Sequence, residues 1–344
     1  MKHLAGKKVF VGLSGGVDSA VTAALLKEAG ADVYGVFIKG WYPEGLPCTW
    51  AADRRDAMRV AAHLRIPFHT LDASSEYKKS VIDYLIREYG AGRTPNPDIM
   101  CNRDVKFGAF YEFAKTHGAD HIATGHYAQH ENGKLVRGID PEKDQSYFLW
   151  AISSEALAMT LFPLGSMNKN HVRALAQKFK LPNAAKRDSQ GICFLGPVSM
   201  DDFLRAELDN TPGPAVDTSG THVGTHQGVL LSTLGERVAL TEGNPGPWYV
   251  LKKDIPNNTL VVSRERMTAL APFALSLTST NWFAPIPTGT VMAQYRYHGA
   301  STRGTYDSSV HAFVPEEPLT EPVAAGQSLV LYDGDIVIGG GIIG

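Results

Sequence analysis

Three stretches of the chain carry residue types that could do chemistry. In the first, Ser14-Gly15-Gly16-Val17-Asp18-Ser19 follows an apolar, β-branched run, Val9 to Leu13, and opens a helical pattern from about Asp18. Ser14, Gly15 and Gly16 have little side-chain bulk, so backbone N–H groups can point into a concave site at a helix N-terminus. That geometry binds phosphate. The loop lacks the G-x-x-x-x-G-K-[ST] lysine and the G-x-G-x-x-G pattern, so neither a Walker loop nor a dinucleotide fingerprint describes it. A glycine-rich turn by itself is also an ordinary strand–helix connection.

The second stretch is Arg93-Thr94-Pro95-Asn96-Pro97-Asp98-Ile99-Met100-Cys101-Asn102. Two prolines impose a rigid, non-helical path that ends at Cys101. A helix is predicted from Asn102, with Val105, Ala109 and Phe113 on one face, which puts Cys101 at its positive end. Arg103 and Lys106 lie within a turn of it, and both features favour a thiolate. The same residue also reads as a buried structural cysteine. The third stretch, Lys186 to Phe194, sets polar residues and glycine directly before Cys193, as in an exposed, flexible loop. Cys48, in Leu46-Pro47-Cys48-Thr49, reads as structural or incidental.

Positioning these residues needs a scaffold, and 344 residues suggest two or three domains with ample core. The chain is 44% hydrophobic and 20% charged, which excludes wholesale disorder. Its net charge of −2 announces no nucleic-acid partner globally, so any RNA surface must be local. Lys169, Arg173, Lys178, Lys180, Lys186 and Arg187, with His171, form such a local run; it is either a solvated helix face or a phosphate contact. Three cysteines are too few for a disulfide scaffold, and without a C-x-x-C pair no zinc motif is visible. No apolar run is long enough to span a bilayer and Met1 to Gly6 has no signal core, so a cytoplasmic enzyme without a membrane partner is expected.

Strands alternate with helical patterns through the first half: a strand over Asp32–Ile38, a helix over Asp53–Leu64, a strand over Phe68–Leu71, a helix over Ser75–Tyr89 and a strand ending near Thr124. This predicts an α/β fold, a doubly wound, mainly parallel sheet with its ligand at the carboxyl ends of the strands. A further helix is expected over Asn170–Lys180. Beyond Leu208 the helical periodicity largely stops, and Thr211-Pro212-Gly213-Pro214 reads as a linker. Strands are expected at Trp248–Leu251, Leu260–Val262, Val291–Tyr297, Thr305–Val314 and Ser328–Leu331, with a hairpin at Asp333-Gly334. The expected division is 1–207 for the catalytic domain, 208–268 for a central β-rich domain and 269–344 for a barrel-like β domain.

The loop Ser14 to Ser19 resembles the pyrophosphate loop of ATP pyrophosphatases. More broadly, the chain resembles the tRNA-specific 2-thiouridylase family. The resemblance is carried by Gly12–Ser19, Ala91–Asp98, Cys101-Asn102, Lys106–Phe110, Ala123–Tyr127, Asp144–Leu149, Leu161–Gly165, Asp188–Phe194, Tyr332–Asp335 and Gly339–Ile343. It implies ATP-dependent replacement of oxygen by sulfur at position 2 of the wobble uridine, position 34, in the tRNAs for Lys, Glu and Gln. It also implies Mg²⁺ on the phosphates and a sulfur-donor protein, either a cysteine desulfurase or a sulfur relay.

The roles implied by the resemblance follow residue by residue. Gly12, Leu13, Ser14, Gly15, Gly16, Val17, Asp18, Ser19, Ile38 and Gly125 match ATP-binding positions. Cys193 matches the cysteine that carries sulfur as a persulfide. Cys101 matches the second nucleophile, which releases the sulfur and leaves a Cys101–Cys193 disulfide. Asn96, Pro97 and Asp98 match the segment that meets the target base. His126, Lys143, Asp144, Gln145, Gln294, Tyr295 and Gln327 match other tRNA contacts. Three positions depart from the family: Glu236 replaces an amide, Val238 replaces a lysine and Gln294 replaces an arginine. These changes weaken RNA contacts and leave the ATP and sulfur chemistry untouched.

Other readings stand beside this one. A synthetase with the same loop would adenylate a small molecule and needs no cysteine pair. A tRNA-binding protein without catalysis would not need an intact loop. An iron–sulfur cluster on the cysteines and Asp98 would depart from standard cluster spacings.

Overall fold

The computed structural model describes residues 4–43, 50–188, 199–208, 210–243, 245–266, 274–286 and 288–344. Cys48 and Cys193 lie outside the described residues, as does the expected boundary near 268. The first domain grows from β1 (Lys8–Gly12), whose Val9, Phe10 and Val11 are at most 1% exposed. Full burial of such side chains contributes roughly 1.5–3 kcal/mol each. On one side β1 pairs with β2 (Asp32–Lys39), which pairs with β3 (Phe68–Asp72). On the other side it pairs with β4 (His121–Ala123). A hairpin, β5 (Ala128–Glu131) and β6 (Lys134–Arg137), comes next in the chain, and β7 (Thr160–Leu161) then pairs with β4.

The sheet order is β3-β2-β1-β4-β7, and every pairing in it is parallel. The chain leaves β1 toward one edge and returns on the opposite side at β4. The carboxyl end of β1 is therefore a switch point, where ligands of such sheets bind. Helix α1 (Val17–Glu28) starts there and is buried along most of its length, packed between the sheet, α2 (Trp50–Leu64) and the helix Lys169–Lys178.

The helix around Cys101 begins earlier than its spacing predicted. Pro97 opens it, and the Asn96 side chain caps it by accepting from the Asp98 N–H. Proline at the first helical position and asparagine at the cap are favourable there, and this overrides the apolar periodicity that begins only at Val105. Cys101 consequently stands inside the helix rather than at its positive end. From Cys101 to Ala109 the helix is π-type, a rare geometry that is frequent at functional sites.

The second domain is an antiparallel sheet with one parallel pair, in the order β10-β11-β12-β8-β9. Its strands are β8 (Gly213–Val216), β9 (His222–His226), β10 (Arg237–Val238), β11 (Trp248–Asp254) and β12 (Thr259–Ser263). The predicted linker is half strand, because β8 starts at Gly213. The third domain holds β13 (Leu275–Trp282), β14 (Thr290–Gln294), β15 (Thr302–Asp307), β16 (Ala312–Pro315), β17 (Ser328–Asp333) and β18 (Ile336–Ile343). The stretch Thr305–Val314, expected as one strand, is the antiparallel pair β15–β16. Pairing of β13 with β18 closes these six strands into a barrel. Strand β18 also pairs with β6, which fastens the hairpin of the first domain to the barrel. The parallel α/β sheet followed by two β-rich domains agrees with the fold class expected from the sequence.

Candidate active site

Beyond β1 the loop folds onto itself. Ser14 N–H donates to Ser19 Oγ at 3.2 Å, Gly16 N–H donates to Ser14 Oγ at 3.3 Å, and Ser19 Oγ–H donates to the Gly16 carbonyl at 3.2 Å. Gly125, at the end of β4, presses on it. A Cβ at Gly125 would lie 2.8 Å from Ser19 N and 3.0 Å from the Asp18 carbonyl carbon, so only glycine fits. Gly12, Leu13, Ser14, Asp18 and Ser19 line a cavity of about 360 Å³ together with Ile38, Gly125, Gln145, Cys101, Lys106 and His126. Cavities of a few hundred Å³ accommodate small-molecule ligands.

Asp18 lines this cavity and is already engaged. Tyr127 Oη donates to it at 2.9 Å, and Lys169 Nζ sits 2.7 and 2.8 Å from its two oxygens. The same ammonium lies 2.8 Å from Asp188, which also meets Lys143 at 3.3 Å and pairs with Arg173. Burial would raise the Asp188 carboxyl, but Lys169, Lys143 and Arg173 together hold it below the usual range. Asn183 Nδ2 donates to the carbonyls of Gly15 and Gly16 at 2.9 and 3.0 Å, and Lys186 lies 2.8 Å from both Asp53 and Asp56. The basic run is thus not a solvated face at Lys169, Arg173 and Lys186: Lys169 binds Asp18 of the loop, Lys186 binds the start of α2, and Arg173 binds Asp188 and the carbonyls of Ala184 and Lys186. Sequence shows the cations but not carboxylates that stand 130 or more residues away.

The same lining includes Cys101, Val105 and Lys106 of the π-helix, which follows the proline-stiffened turn. Cys101 is 4% exposed. Burial pushes the Asp98 carboxyl above its ordinary value, against the pull of Lys106. His126 donates to or accepts from Thr124 Oγ1 at 2.8 Å, and its Nε2 lies 3.4 Å from Lys106 Nζ. Burial first, and the Lys106 charge second, keep the imidazole well below its usual value and therefore neutral. Among the described residues, no group of three His, Cys, Asp or Glu side chains is arranged to hold a metal ion.

The remaining expected RNA contacts are placed as follows. Asp144 is buried and accepts from Arg137, the Gly138 and Ser146 N–H groups and Ser146 Oγ. Gln145 Oε1 accepts from the Tyr127 N–H. Gln294 is buried, accepting from Arg137 at 3.2 Å and donating to the Arg296 carbonyl at 3.0 Å, while Tyr295 lies in the barrel core. Gln327 donates to the Thr94 carbonyl. Glu236 is exposed just before β10, in which Val238 pairs with Trp248. Sequence reasoning missed Lys169, Tyr127 and Asn183 as partners of the loop.

Fold and site define a nucleotide-loop α/β enzyme domain whose loop shares a cavity with a cysteine and which is extended by two β domains. Family models cover the chain in the same three parts: "tRNA methyl transferase HUP domain" over residues 7–197, "tRNA methyl transferase PRC-barrel domain" over 201–264 and "Aminomethyltransferase beta-barrel domain" over 274–343. The chain is 42% identical to the tRNA-specific 2-thiouridylase MnmA of Shewanella frigidimarina (strain NCIMB 400), across 98% of this chain and 96% of that one. It is 43% identical to the MnmA of Shewanella halifaxensis (strain HAW-EB4), across 99% and 96%. With the MnmA of Akkermansia muciniphila it shares 42% identity across 97% and 98%. The chain belongs to the tRNA-specific 2-thiouridylase family.

Proposed function

We propose that this protein is an ATP-dependent tRNA uridine 2-sulfurtransferase acting on the wobble uridine, position 34. The observation that supports this most directly is the shared cavity: the phosphate-type loop Gly12–Ser19 and Cys101 face the same space. A phosphate-type loop sharing a cavity with a thiol suits activation followed by sulfur transfer better than the methyl transfer in the family model's descriptive name.

The chemistry follows from what a uridine resists. Its C2 oxygen is a poor leaving group, so that oxygen first attacks the α-phosphate of ATP and pyrophosphate departs. The terminal sulfur of a Cys193 persulfide then attacks C2, and AMP leaves with the former carbonyl oxygen. Cys101 thiolate attacks the Cys193 sulfur of the resulting S–S link. This frees 2-thiouridine and leaves a Cys101–Cys193 disulfide, which a thiol reductant reopens. A sulfur-donor protein, such as a desulfurase or relay carrier, reloads Cys193. Backbone N–H groups of the loop offset charge on the phosphates.

Mg²⁺ fits the same loop. The Asp18 carboxylate already holds a cation, the Lys169 ammonium, and offers the hard oxygen donors that this metal takes. When bound, the ion would neutralise phosphate charge as a Lewis acid. Asn96–Asp98 would meet the base, and Lys143 would approach the RNA. No helix among the described residues is long and apolar enough to cross a membrane, and a cytoplasmic location suits a tRNA substrate. The test is direct: protein, ATP, a persulfide donor and unmodified tRNA for Lys, Glu or Gln should yield 2-thiouridine by nucleoside mass spectrometry, with pyrophosphate released. Pyrophosphate release without 2-thiouridine would move the assignment to another adenylating reaction.

A further inference from the structure

Gln327 stands where family resemblance expects an RNA contact, yet its side chain turns inward. Its Nε2 donates to the Thr94 carbonyl at 2.5 Å, joining positions 233 residues apart. The bond is reciprocated by the same loop, because the Thr94 N–H donates to the Ala325 carbonyl at 2.8 Å. On its other side the loop is sewn to β18: the Gly326 N–H donates to Ile343 O, and the Ile343 N–H donates to Gln327 O, both at 2.8 Å. Gly326 has φ +90°, and a Cβ there would lie 3.1 Å from Arg93 Cβ and from the Thr94 backbone. Barrel loop and catalytic turn are thus in close contact as well as hydrogen-bonded.

What lies beyond Thr94 is stiff. Pro95 and Pro97 have fixed φ, and Asn96 caps the helix that leads through Asp98 to Cys101. Displacement of Thr94 therefore passes along the turn instead of being absorbed by it. We propose that Gln327 is a positioning residue: its amide holds Thr94, and the proline-stiffened turn carries that restraint to Asp98 and Cys101. The inference rests on the reading that Cys101 takes part in sulfur transfer, but the restraint itself does not. Among the described residues the side-chain amide's one hydrogen bond is this donation to Thr94, so the two roles are told apart by what its removal moves: Cys101 or tRNA affinity.

Two variants test it. Gln327→Ala removes the donor, and Gln327→Glu keeps the volume but presents a carboxylate that cannot donate to a carbonyl. For each, three quantities are measured: tRNA dissociation constant by filter binding, kcat at saturating tRNA and ATP, and the iodoacetamide alkylation rate of Cys101 by peptide mass spectrometry in a phosphine reductant. Both variants should lower kcat about tenfold, since small displacements of reacting groups are costly. Both should leave tRNA affinity within about twofold and alkylate Cys101 several times faster. A fivefold or greater loss of tRNA affinity, with kcat and Cys101 alkylation unchanged, would overturn the proposal and make Gln327 an RNA contact. A lowered melting temperature with unchanged kcat and alkylation would overturn it as well. If wild-type protein makes no 2-thiouridine, the sulfur-transfer reading fails, and the alkylation comparison still decides the restraint.

Discussion

Around the loop Asp18 and Asp188 are met by Lys169, Lys143 and Arg173, whereas Asp98, a turn before Cys101, and His126 in the cavity lining are shifted toward their neutral forms. The first region is a set of charges already paired with one another. A polyphosphate arriving there can exchange partners with Asp18 for Lys169 without stranding a buried ion, which makes it a suitable anion site. The second region holds the buried Cys101 and His126 together with the Lys106 ammonium. On the proposed reaction, such burial would keep water from an activated base or a persulfide. Phosphate handling and sulfur handling would then need opposite environments, and a cavity at the β1 switch point would offer both.

Four substitutions break or sharpen this contrast. The largest effect is expected for Cys101→Ser, which should lower 2-thiouridine formation at least about a thousandfold, as when a nucleophile is removed. Pyrophosphate release and sulfur loading on Cys193 should persist, and persulfide trapping with nucleoside analysis reads both. Asp18→Ala acts on the loop and should lower pyrophosphate release by about a hundredfold. Its tRNA affinity should stay near wild type, because Lys169 keeps Asp188 as a partner.

Lys169→Met should slow pyrophosphate release about tenfold and also destabilise the protein by roughly 3 kcal/mol, since Asp18 and Asp188 both lose a largely buried cation. Denaturant unfolding measures the second effect. If it instead loses tRNA affinity alone, the basic run returns to an RNA role. The smallest effect belongs to Asp98→Asn. The folded-state carboxyl is raised by burial, so Asp98 favours the folded state only while protonated, and that contribution is lost as pH rises through its folded value. The asparagine variant should therefore melt higher than wild type at pH 7, with the difference vanishing below about pH 4. An equal melting temperature across that range would show that the carboxyl is not desolvated.

Local signals made the loop's backbone legible in advance. Val9–Leu13, the small residues after it and the helix from Val17 lie together in sequence, so strand, turn and helix followed from composition and period. The charge pairing was not legible, because Asp18 and Lys169 meet only after the sheet has closed. Around Cys101 the two prolines imply a rigid, non-helical path, whereas Pro97 starts a helix. The hairpin β5–β6 escapes the hydrophobic pattern although Asn132-Gly133, both with positive φ, is a strong turn signal. Its flanks, Ala128–Glu131 and Lys134–Arg137, are polar enough to look like loop, and their strand character is supported by β18.

Strand β18 gives the molecule a calendar. It pairs with β17, β13 and, through Ile336 and Val136, with the hairpin of the first domain. The same strand lays Gly340 against Trp150, where a Cβ would come within 3.2 Å of the indole. A ribosome makes Val136 long before Ile336, so the nascent catalytic module waits with that hairpin edge unpaired and the Trp150 face uncovered. Unpaired edges and bare apolar faces invite wrong partners. The portion translated early is thus finished only when the β18 residues emerge, and release of a competent enzyme is tied to delivery of that late strand.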